Sequence, residues 1–219
     1  MKNDRMKTLI VCAGKNEDFS FAKSIGVGLV EASAGLCELL FKFNALGAGA
    51  KKPDRIIFIG TCGLYQKGES LNLSKKSEIK GNLGVKNLVS ENQKPLKLLE
   101  IYESAHCFNV EASKLTNAFY SPAECEINLN VSYETKKCNS SNYICTDENV
   151  AARFADLGLE LENMESFAVL SLAKRFGISA TCFLCATNFC DKNAHQSFLQ
   201  NHTQAKKNLE HFLQEKNLI

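Results

Sequence analysis

An almost uninterrupted apolar run, Ser179 to Ala186, constrains the fold of this chain more than any other segment. A strand with one face in water alternates apolar and polar side chains, whereas a continuous run of this length is typical of a central strand covered on both faces. We therefore expect a sheet with helices packed on both of its sides.

Other segments alternate between strand and helix patterns, as such a sheet requires. Apolar runs predict strands at Lys7–Ala13, Arg55–Ile59 and Tyr143–Thr146, with shorter β-like runs at Leu83–Ser90 and Ile127–Tyr133. Helical spacing predicts a helix that extends through Phe43, a helix over Glu162–Phe176 that Gly177 ends, and an amphipathic helix over Asn193–Leu218. This order predicts an α/β fold, a three-layer α/β/α sandwich with a mixed, largely parallel central sheet, formed by residues 1–219 as a single domain.

The composition of the chain argues against several classes of function. A formal net charge of +2 over 219 residues gives no reason to expect binding to nucleic acid or to a membrane surface. The apolar runs are shorter than the roughly 18 residues that a membrane helix needs. The apolar stretch Thr8–Ala13 is also too short for a secretory signal. We therefore expect a cytoplasmic protein.

The ten cysteines raise the question of disulfides or a metal site. Cys182 and Cys185 have the local spacing of zinc ligands, but no second pair of this kind occurs in the sequence. Alternation along a strand would also place these two side chains on opposite faces. We predict reduced structural thiols and no metal site.

Four polar segments follow predicted strands, and in a sheet of this type they would converge at one edge. They are Gly14–Glu17, Gly60–Gly63, Asp147 and Thr187–Asp191. Asp147 is also suited to cap the helix that follows it. The segment Gly60–Gly63 has two interpretations: a tight turn that needs positive φ, or a loop whose backbone N–H groups and Thr61 hydroxyl bind an anion.

Glu165 and Asn188 lie 23 residues apart, the first near a helix start and the second at the end of an apolar strand. Alone, Glu165 would be a first-turn carboxylate and Asn188 a turn residue. Together they suit a site that holds two sugar hydroxyls with a carboxylate and a heterocycle with an amide. The pair points to chemistry at a nucleoside.

Four motifs resemble those of the nucleoside phosphorylase and nucleosidase superfamily, which includes purine nucleoside phosphorylases and methylthioadenosine/S-adenosylhomocysteine nucleosidases. They are Gly60–Gly63, Met164–Glu165, Ala186–Asn188 and the glycine-rich Gly26–Val30. The resemblance implies that Glu165 binds the ribose 2′ and 3′ hydroxyls and that Met164 packs on the sugar. It also implies that the protein assembles as a homo-oligomer.

The resemblance also places Asn188 opposite N7 of the purine. Hexameric phosphorylases and nucleosidases carry an aspartate there, and trimeric phosphorylases, which favour 6-oxopurines, carry an asparagine. An amide cannot transfer a proton, but its N–H can stabilise charge on a departing base. We expect inosine or guanosine as substrate. Further candidate contacts to the substrate are Asp147, Thr187 and Phe189, and the candidates for stacking on the base are Phe119, Tyr120 and Phe189.

The nucleophile has two candidates. Phosphate would bind at Gly14, Lys15, Gly60 and Thr61, although Phe58 stands where the family's phosphorylases carry an arginine. Water would be held by Glu17, which falls where nucleosidases carry a glutamate. Because Asn188 matches phosphorylases, we predict phosphorolysis, with Asn188, Glu165 and Glu17 as catalytic residues, phosphate as co-substrate and no cofactor. The alternatives are a nucleosidase, of the methylthioadenosine/S-adenosylhomocysteine or futalosine type, and a non-catalytic nucleoside-binding protein.

Overall fold

Strands and helices alternate along the chain in a computed structural model that describes residues 7–45, 52–66, 95–129 and 132–219. The strands are β1 Thr8–Cys12, β2 Lys23–Ser24, β3 Arg55–Leu64, β4 Ile101–Ser104, β5 His106–Phe108, β6 Glu126–Asn128, β7 Lys137–Asn139, β8 Leu161–Glu162 and β9 Ser179–Phe189. The helices are α1 Gly28–Ala45, α2 Glu148–Asp156, α3 Ser166–Phe176 and α4 Ala194–Glu215, with a short 3-10 helix at Ala112–Thr116.

The strands form one mixed sheet built around the parallel pair β3 and β9. Strand β1 pairs in parallel with the other side of β3, and β2 pairs in parallel with β1. The far end of β3 pairs antiparallel with β8, from which β7, β5 and β6 continue the sheet. Strand β4 lies antiparallel to β9. The predicted mixed, largely parallel sheet is confirmed.

Helices cover both faces of the sheet, so the predicted three-layer sandwich is also confirmed. On β1, Leu9 and Val11 pack into the cluster that contains the buried residues of α1 and α3. The alternating residues Ile10 and Cys12 pack into the cluster that contains Leu209 of α4. Strands β3 and β9 divide their side chains between the same two clusters, which explains why their sequences are apolar without alternation.

The tight turn considered at Gly60–Gly63 is wrong, because β3 continues through this segment to Leu64. Strand β9 pairs with the whole length of β3, and β8 pairs with the last two residues of β3. The backbone at the end of β3 therefore has partner strands on both sides. A β-bulge falls between Cys62 and Gly63. Neither Gly60 nor Gly63 has positive φ.

Several boundaries and one strand differ from the prediction, among them the end of β3 at Leu64 instead of Ile59 and the end of α4 at Glu215 instead of Leu218. Helix α3 begins at Ser166, because Glu162 belongs to β8. Its end is as predicted, with Gly177 in the left-handed conformation at φ 60°. The strand predicted at Tyr143–Thr146 is wrong, because these residues form an irregular connection to α2. Of the run Ile127–Tyr133, the structure forms only Glu126–Asn128 as a strand, and Leu83–Ser90 lies outside the described residues.

The cysteines lie within the described part of the chain and carry free thiols. Cys182 packs among the side chains beneath α1 and α3, whereas Cys185 packs beneath α4. The predicted separation of these two side chains onto opposite faces is confirmed. None of the described helices has the length and apolar character needed to cross a membrane.

Candidate active site

A cleft of about 270 Å³ opens at the carboxyl ends of β1, β3 and β9, where ligands collect in sheets of this kind. Its walls come from the loop after β1, the end of β3, the β8–α3 turn and the start of α4. The cleft brings together most of the residues predicted for the site: Gly14, Lys15, Glu17, Thr61, Met164, Glu165 and Asn188. Four predicted residues do not line it: Gly60, Asp147, Thr187 and Phe189.

Glu165 lies at the start of α3 and is only 3% exposed. Its carboxylate accepts a hydrogen bond of 2.8 Å from the backbone N–H of Gly28, the first residue of α1. Burial raises the pKa of this carboxyl to about 7, and the negative charge of Glu17 acts in the same direction. The carboxylate therefore stands at the junction of α1 and α3, facing the cleft.

Asn163 positions Glu165, and the sequence analysis did not identify it. Its side-chain oxygen accepts from the backbone N–H groups of Glu165 and Ser166, both at 2.9 Å. Its amide nitrogen donates to the backbone carbonyl of Thr61 at 3.0 Å. An asparagine just before an apolar helical pattern is a recognisable helix-capping signal. Asn163 thus ties the start of α3 to the end of β3.

Glu17 reaches across the cleft floor to β3. Its carboxylate accepts a hydrogen bond of 3.2 Å from the backbone N–H of Thr61, and a second bond from the Thr61 hydroxyl. Burial raises the pKa of the Glu17 carboxyl, an effect that the two bonds from Thr61 oppose. The two donors of Thr61, which was predicted to bind phosphate, are therefore already paired with a carboxylate of the same chain.

Gly60 makes this contact possible. A Cβ atom at this position would lie 2.9 Å from the Glu17 Oε2 atom and 3.2 Å from the ring of Phe58. The glycine is thus needed for the close approach of the Glu17 side chain. Phe58, where phosphorylases carry an arginine, is fully buried in the apolar layer beneath α1 and α3.

The loop after β1 places Glu17 beside Thr61 of β3. Gly14 has φ 90° and Lys15 has φ 56°, and the backbone N–H of Glu17 donates to the Gly14 carbonyl at 3.1 Å. This tight turn directs the chain back toward β3. Lys15 lines the cleft with an exposed side chain.

Asn188 lines the cleft and is 6% exposed. The hydroxyl of Thr187 donates to its side-chain oxygen at 2.9 Å, and its nitrogen donates to the Phe189 carbonyl at 3.1 Å. One N–H of the amide is then left for a ligand. Thr187 is itself fully buried. It orients Asn188 and does not contact the cleft.

Two other predicted contacts have different partners. The Asp147 carboxylate caps α2, as its sequence position predicted, and accepts from the backbone N–H groups of Asn149 at 2.8 Å and Val150 at 3.1 Å. Phe189 packs against the apolar core. Of the other proposed stacking residues, Phe119 and Tyr120 are exposed and do not line the cleft.

Several further cleft residues were not predicted as part of the site, and three of them contribute apolar surface or charge. Ile144 and Phe198 supply apolar surface, and Phe198 follows the cleft residue His195 at helical spacing on α4. Glu162 is a third carboxyl in the cleft and is 7% exposed. It accepts from the Tyr65 hydroxyl at 2.9 Å and from the backbone N–H of Cys145 at 3.1 Å. Burial raises the pKa of Glu162 also.

The site combines three carboxyl groups, the amide of Asn188, the lysine Lys15 and apolar walls, which suits a polar organic ligand with a flat apolar part. Within the described ranges, no group of three or more His, Cys, Asp and Glu side chains is arranged to hold a metal ion. The carboxyl groups of Glu17 and Glu165 can accept from hydroxyls or water, and the amide of Asn188 can donate.

The sequence was compared with models of known protein families and with curated proteins. The family model described as the phosphorylase superfamily matches residues 92–215. A sequence comparison with curated proteins gave no significant match.

Solved structures with the same fold include several nucleosidases. An aspartate-to-asparagine mutant of the Helicobacter pylori nucleosidase, with 5′-methylthioadenosine in its active site, is 12% identical, with a TM-score of 0.64 over 96% of this chain and 99% of the other. A futalosine hydrolase mutant from the same organism is also 12% identical, with a TM-score of 0.65 over 96% and 99%. The Streptococcus pyogenes S-adenosylhomocysteine nucleosidase, bound to 5-methylthiotubericidin, is 12% identical, with a TM-score of 0.61 over 93% and 92%.

Proposed function

Since the chain belongs to the phosphorylase superfamily, we propose that it hydrolyses the N-glycosidic bond of a purine ribonucleoside to the free purine and ribose. The observation that carries this proposal is the pairing of the Glu17 carboxylate with the N–H and hydroxyl of Thr61. A carboxylate at this place can hold and deprotonate an attacking water. The reaction needs water and the side chains of the cleft, and no cofactor.

The same pairing argues against phosphate as the nucleophile. Phosphate would need the Thr61 donors that Glu17 occupies, and its charge would lie beside the carboxyl groups of Glu17 and Glu165. Like charges a few ångströms apart repel strongly where water is largely excluded. The buried Phe58 offers no compensating cation. The hydrolases among the solved structures with this fold add support to the same conclusion.

In the proposed reaction each side chain has one task. Glu165 accepts from the ribose hydroxyls, and Met164 packs on the sugar. The bond from C1′ to the base lengthens, and the Glu17-bound water attacks C1′. Asn188 donates its free N–H to N7 of the departing base, where negative charge accumulates. The amide at this position supports a 6-oxopurine nucleoside, inosine or guanosine, as the preferred substrate.

Phosphorolysis is the second candidate, because Asn188 matches the trimeric phosphorylases and Lys15 lines the cleft. A lysine can bind phosphate as a point charge. In that case the products would be the free purine and ribose 1-phosphate. A non-catalytic nucleoside-binding protein is the third candidate.

One assay separates the three candidates. Inosine, guanosine, adenosine, methylthioadenosine and futalosine are incubated with the protein with and without phosphate, and the released base and sugar are measured. We expect release of base without phosphate, with ribose as the sugar product. Release that requires phosphate and yields ribose 1-phosphate would establish the second candidate instead. Binding of nucleoside without release of base would establish the third.

A further inference from the structure

The proposed hydrolysis lacks one component, a donor for the proton that a departing purine takes up. Asn188 stands where related nucleosidases carry an aspartate, and an amide can donate a hydrogen bond but cannot transfer a proton. Proton transfer to a leaving group is worth a rate factor of about 10² to 10⁴. On the proposed function, on which this inference rests, another group of the cleft must supply this proton.

The sheet places the carboxyl-bearing residue Glu162 across β3 from Asn188. In the register of the strands, Gly63 of β3 is paired with Asn188 of β9 on one side and with Glu162 of β8 on the other. Residues paired across neighbouring strands direct their side chains to the same face of the sheet. Asn188 and Glu162 both line the cleft.

Gly63 lets both side chains lie close to the backbone of β3. A Cβ atom on this residue would lie 3.0 Å from the Asn188 Nδ2 atom and 3.6 Å from the Glu162 Cβ atom. It would also lie 2.8 Å from the Cys190 Sγ atom. The glycine therefore allows the Asn188 amide, the Cys190 thiol and the Glu162 side chain to pack closely against β3.

We propose that Glu162 is the general acid that protonates the departing purine, while Asn188 holds the same base through its N–H. The electron pair of the bond between C1′ and N9 moves to the purine, and the Glu162 proton passes to a ring nitrogen of the base. The oxygen of water bonds to C1′, and its proton passes to Glu17. Exchange with solvent then returns a proton to Glu162 and removes one from Glu17.

The surroundings of Glu162 suit an acid that is protonated before the reaction. Its hydrogen-bond partners in the described part of the chain are the Tyr65 hydroxyl, the Cys145 backbone N–H and the Cys190 thiol, none of them cationic. The carboxyl groups of Glu17 and Glu165 face the same cleft. Burial raises the pKa of the Glu162 carboxyl, an effect that exceeds the opposing effect of these three donated hydrogen bonds.

The test compares two leaving groups in the variant Glu162→Gln. One substrate is the purine nucleoside that the wild type cleaves best. The other is 4-nitrophenyl β-D-ribofuranoside, whose leaving group departs as a stable anion and needs no proton. We expect kcat for the nucleoside to fall about 100-fold or more and kcat for the riboside to change by less than about threefold. Equal losses on both substrates would overturn the assignment of Glu162.

Two further variants complete the experiment. Glu160→Gln is the matched control, because Glu160 is two residues away and pairs with Lys136 outside the cleft, and we expect no change with either substrate. In the double variant Glu162→Gln, Asn188→Asp a carboxyl group returns on the other side of Gly63. We expect it to recover at least about tenfold of the lost rate on the nucleoside, within the range of acid catalysis.

The outcomes separate this inference from the proposed function. If the wild type releases base without phosphate but Glu162→Gln slows both substrates equally, only the role of Glu162 is overturned. If the wild type does not accept the riboside, the double variant is the deciding test. Recovery of rate on the nucleoside supports the role of Glu162, and the absence of any recovery contradicts it. If the wild type cleaves no nucleoside, the proposed function and the role of Glu162 both fail.

Discussion

Glu17 and Glu165 are two carboxyl groups in one cleft that differ in their partners. Glu17 accepts from Thr61 on β3, whereas Glu165 accepts from Gly28 at the start of α1. Each is held by at least one backbone N–H, so its position depends on the fold and not on a flexible side chain. This difference supports separate roles, the first with water and the second with the sugar.

The raised pKa of Glu165 makes a prediction about stability. Burial raises this pKa from 4.5 to about 7. The folded protein then keeps a proton that the unfolded chain loses near pH 4.5, so the contribution of Glu165 to the free energy of unfolding falls as pH rises from 4.5 to 7. We therefore compare the free energy of unfolding of Glu165→Gln with that of the wild type. We expect this difference to be about 1–3 kcal/mol more favourable to the variant at pH 8 than at pH 5.

Denaturant unfolding of both proteins at the two pH values measures this difference. The matched control is Glu148→Gln, an exposed glutamate in the first turn of α2, for which we expect no such gain. The prediction would be contradicted if the difference in unfolding free energy between Glu165→Gln and the wild type were the same at both pH values.

Asn188 makes a prediction about the choice of base. Asn188→Asp introduces a carboxyl group that can donate a proton to N7. A base that leaves as a more basic anion depends more strongly on this proton. We expect the ratio of kcat/KM for inosine to that for adenosine to fall about tenfold or more, within the range of acid catalysis. An unchanged ratio would count against a contact between residue 188 and the base.

At the scale of elements, strand β3 organises the site. Its last residues are paired with β9 on one side and β8 on the other, so three separate parts of the sequence meet along it. Its two glycines in the cleft region lack positive φ and are explained by neighbouring side chains, Glu17 at Gly60 and Asn188 at Gly63. The strand therefore contributes space as well as hydrogen-bond donors.

Gly60→Ala tests this role of the strand. The added methyl would meet the Glu17 carboxylate at 2.9 Å and the Phe58 ring at 3.2 Å. We expect a loss of about 1–3 kcal/mol of stability and a fall in kcat of about 100-fold from the displaced carboxylate. The control is Gly177→Ala at the end of α3, where φ is 60° and nothing lies within 4 Å. It should lose about 1 kcal/mol of stability and keep its kcat. Equal kcat values in the two variants would contradict this account.

At the scale of the whole molecule, the layers bring distant residues together. The bond from the Gly28 N–H to Glu165 joins residues 137 positions apart in the sequence, and it exists because α1 and α3 pack side by side on one face of the sheet. Helix α4 covers the other face with Leu209 and Leu213. The cleft lies where the layers meet at the carboxyl ends of the strands.

Leu209→Ala tests whether the second face supports the fold without taking part in the site. Leu209 is fully buried, so its truncation should lower the free energy of unfolding by about 2–5 kcal/mol. Because Leu209 does not line the cleft, kcat of the folded protein should stay unchanged. Leu199→Ala on the same helix is the control, since Leu199 is 49% exposed and should change stability by less than about 0.5 kcal/mol. A large loss of kcat in Leu209→Ala would show that α4 acts on the site.

The sequence by itself determined the class of fold and the main residues of the cleft. Apolar runs without alternation predict strands covered on both faces, and the helical spacing before Gly177 predicts α3, because these patterns are local. Glu165 and Asn188 are recognisable because each lies near the end of a predicted element, whereas Glu17 is recognisable from the resemblance to nucleosidases. The capping role of Asp147 is local in the same way and is confirmed.

Only the tertiary structure decided which partner each of these residues has. The pairing of Glu17 with Thr61, the anchoring of α3 by Asn163 and the position of Glu162 opposite Asn188 all depend on strand register. Register is set by contacts between residues far apart in the sequence, so no local pattern contains it. For that reason the sequence pointed to a nucleoside site and to phosphate, whereas the geometry of the folded chain supports our proposal that water is the nucleophile.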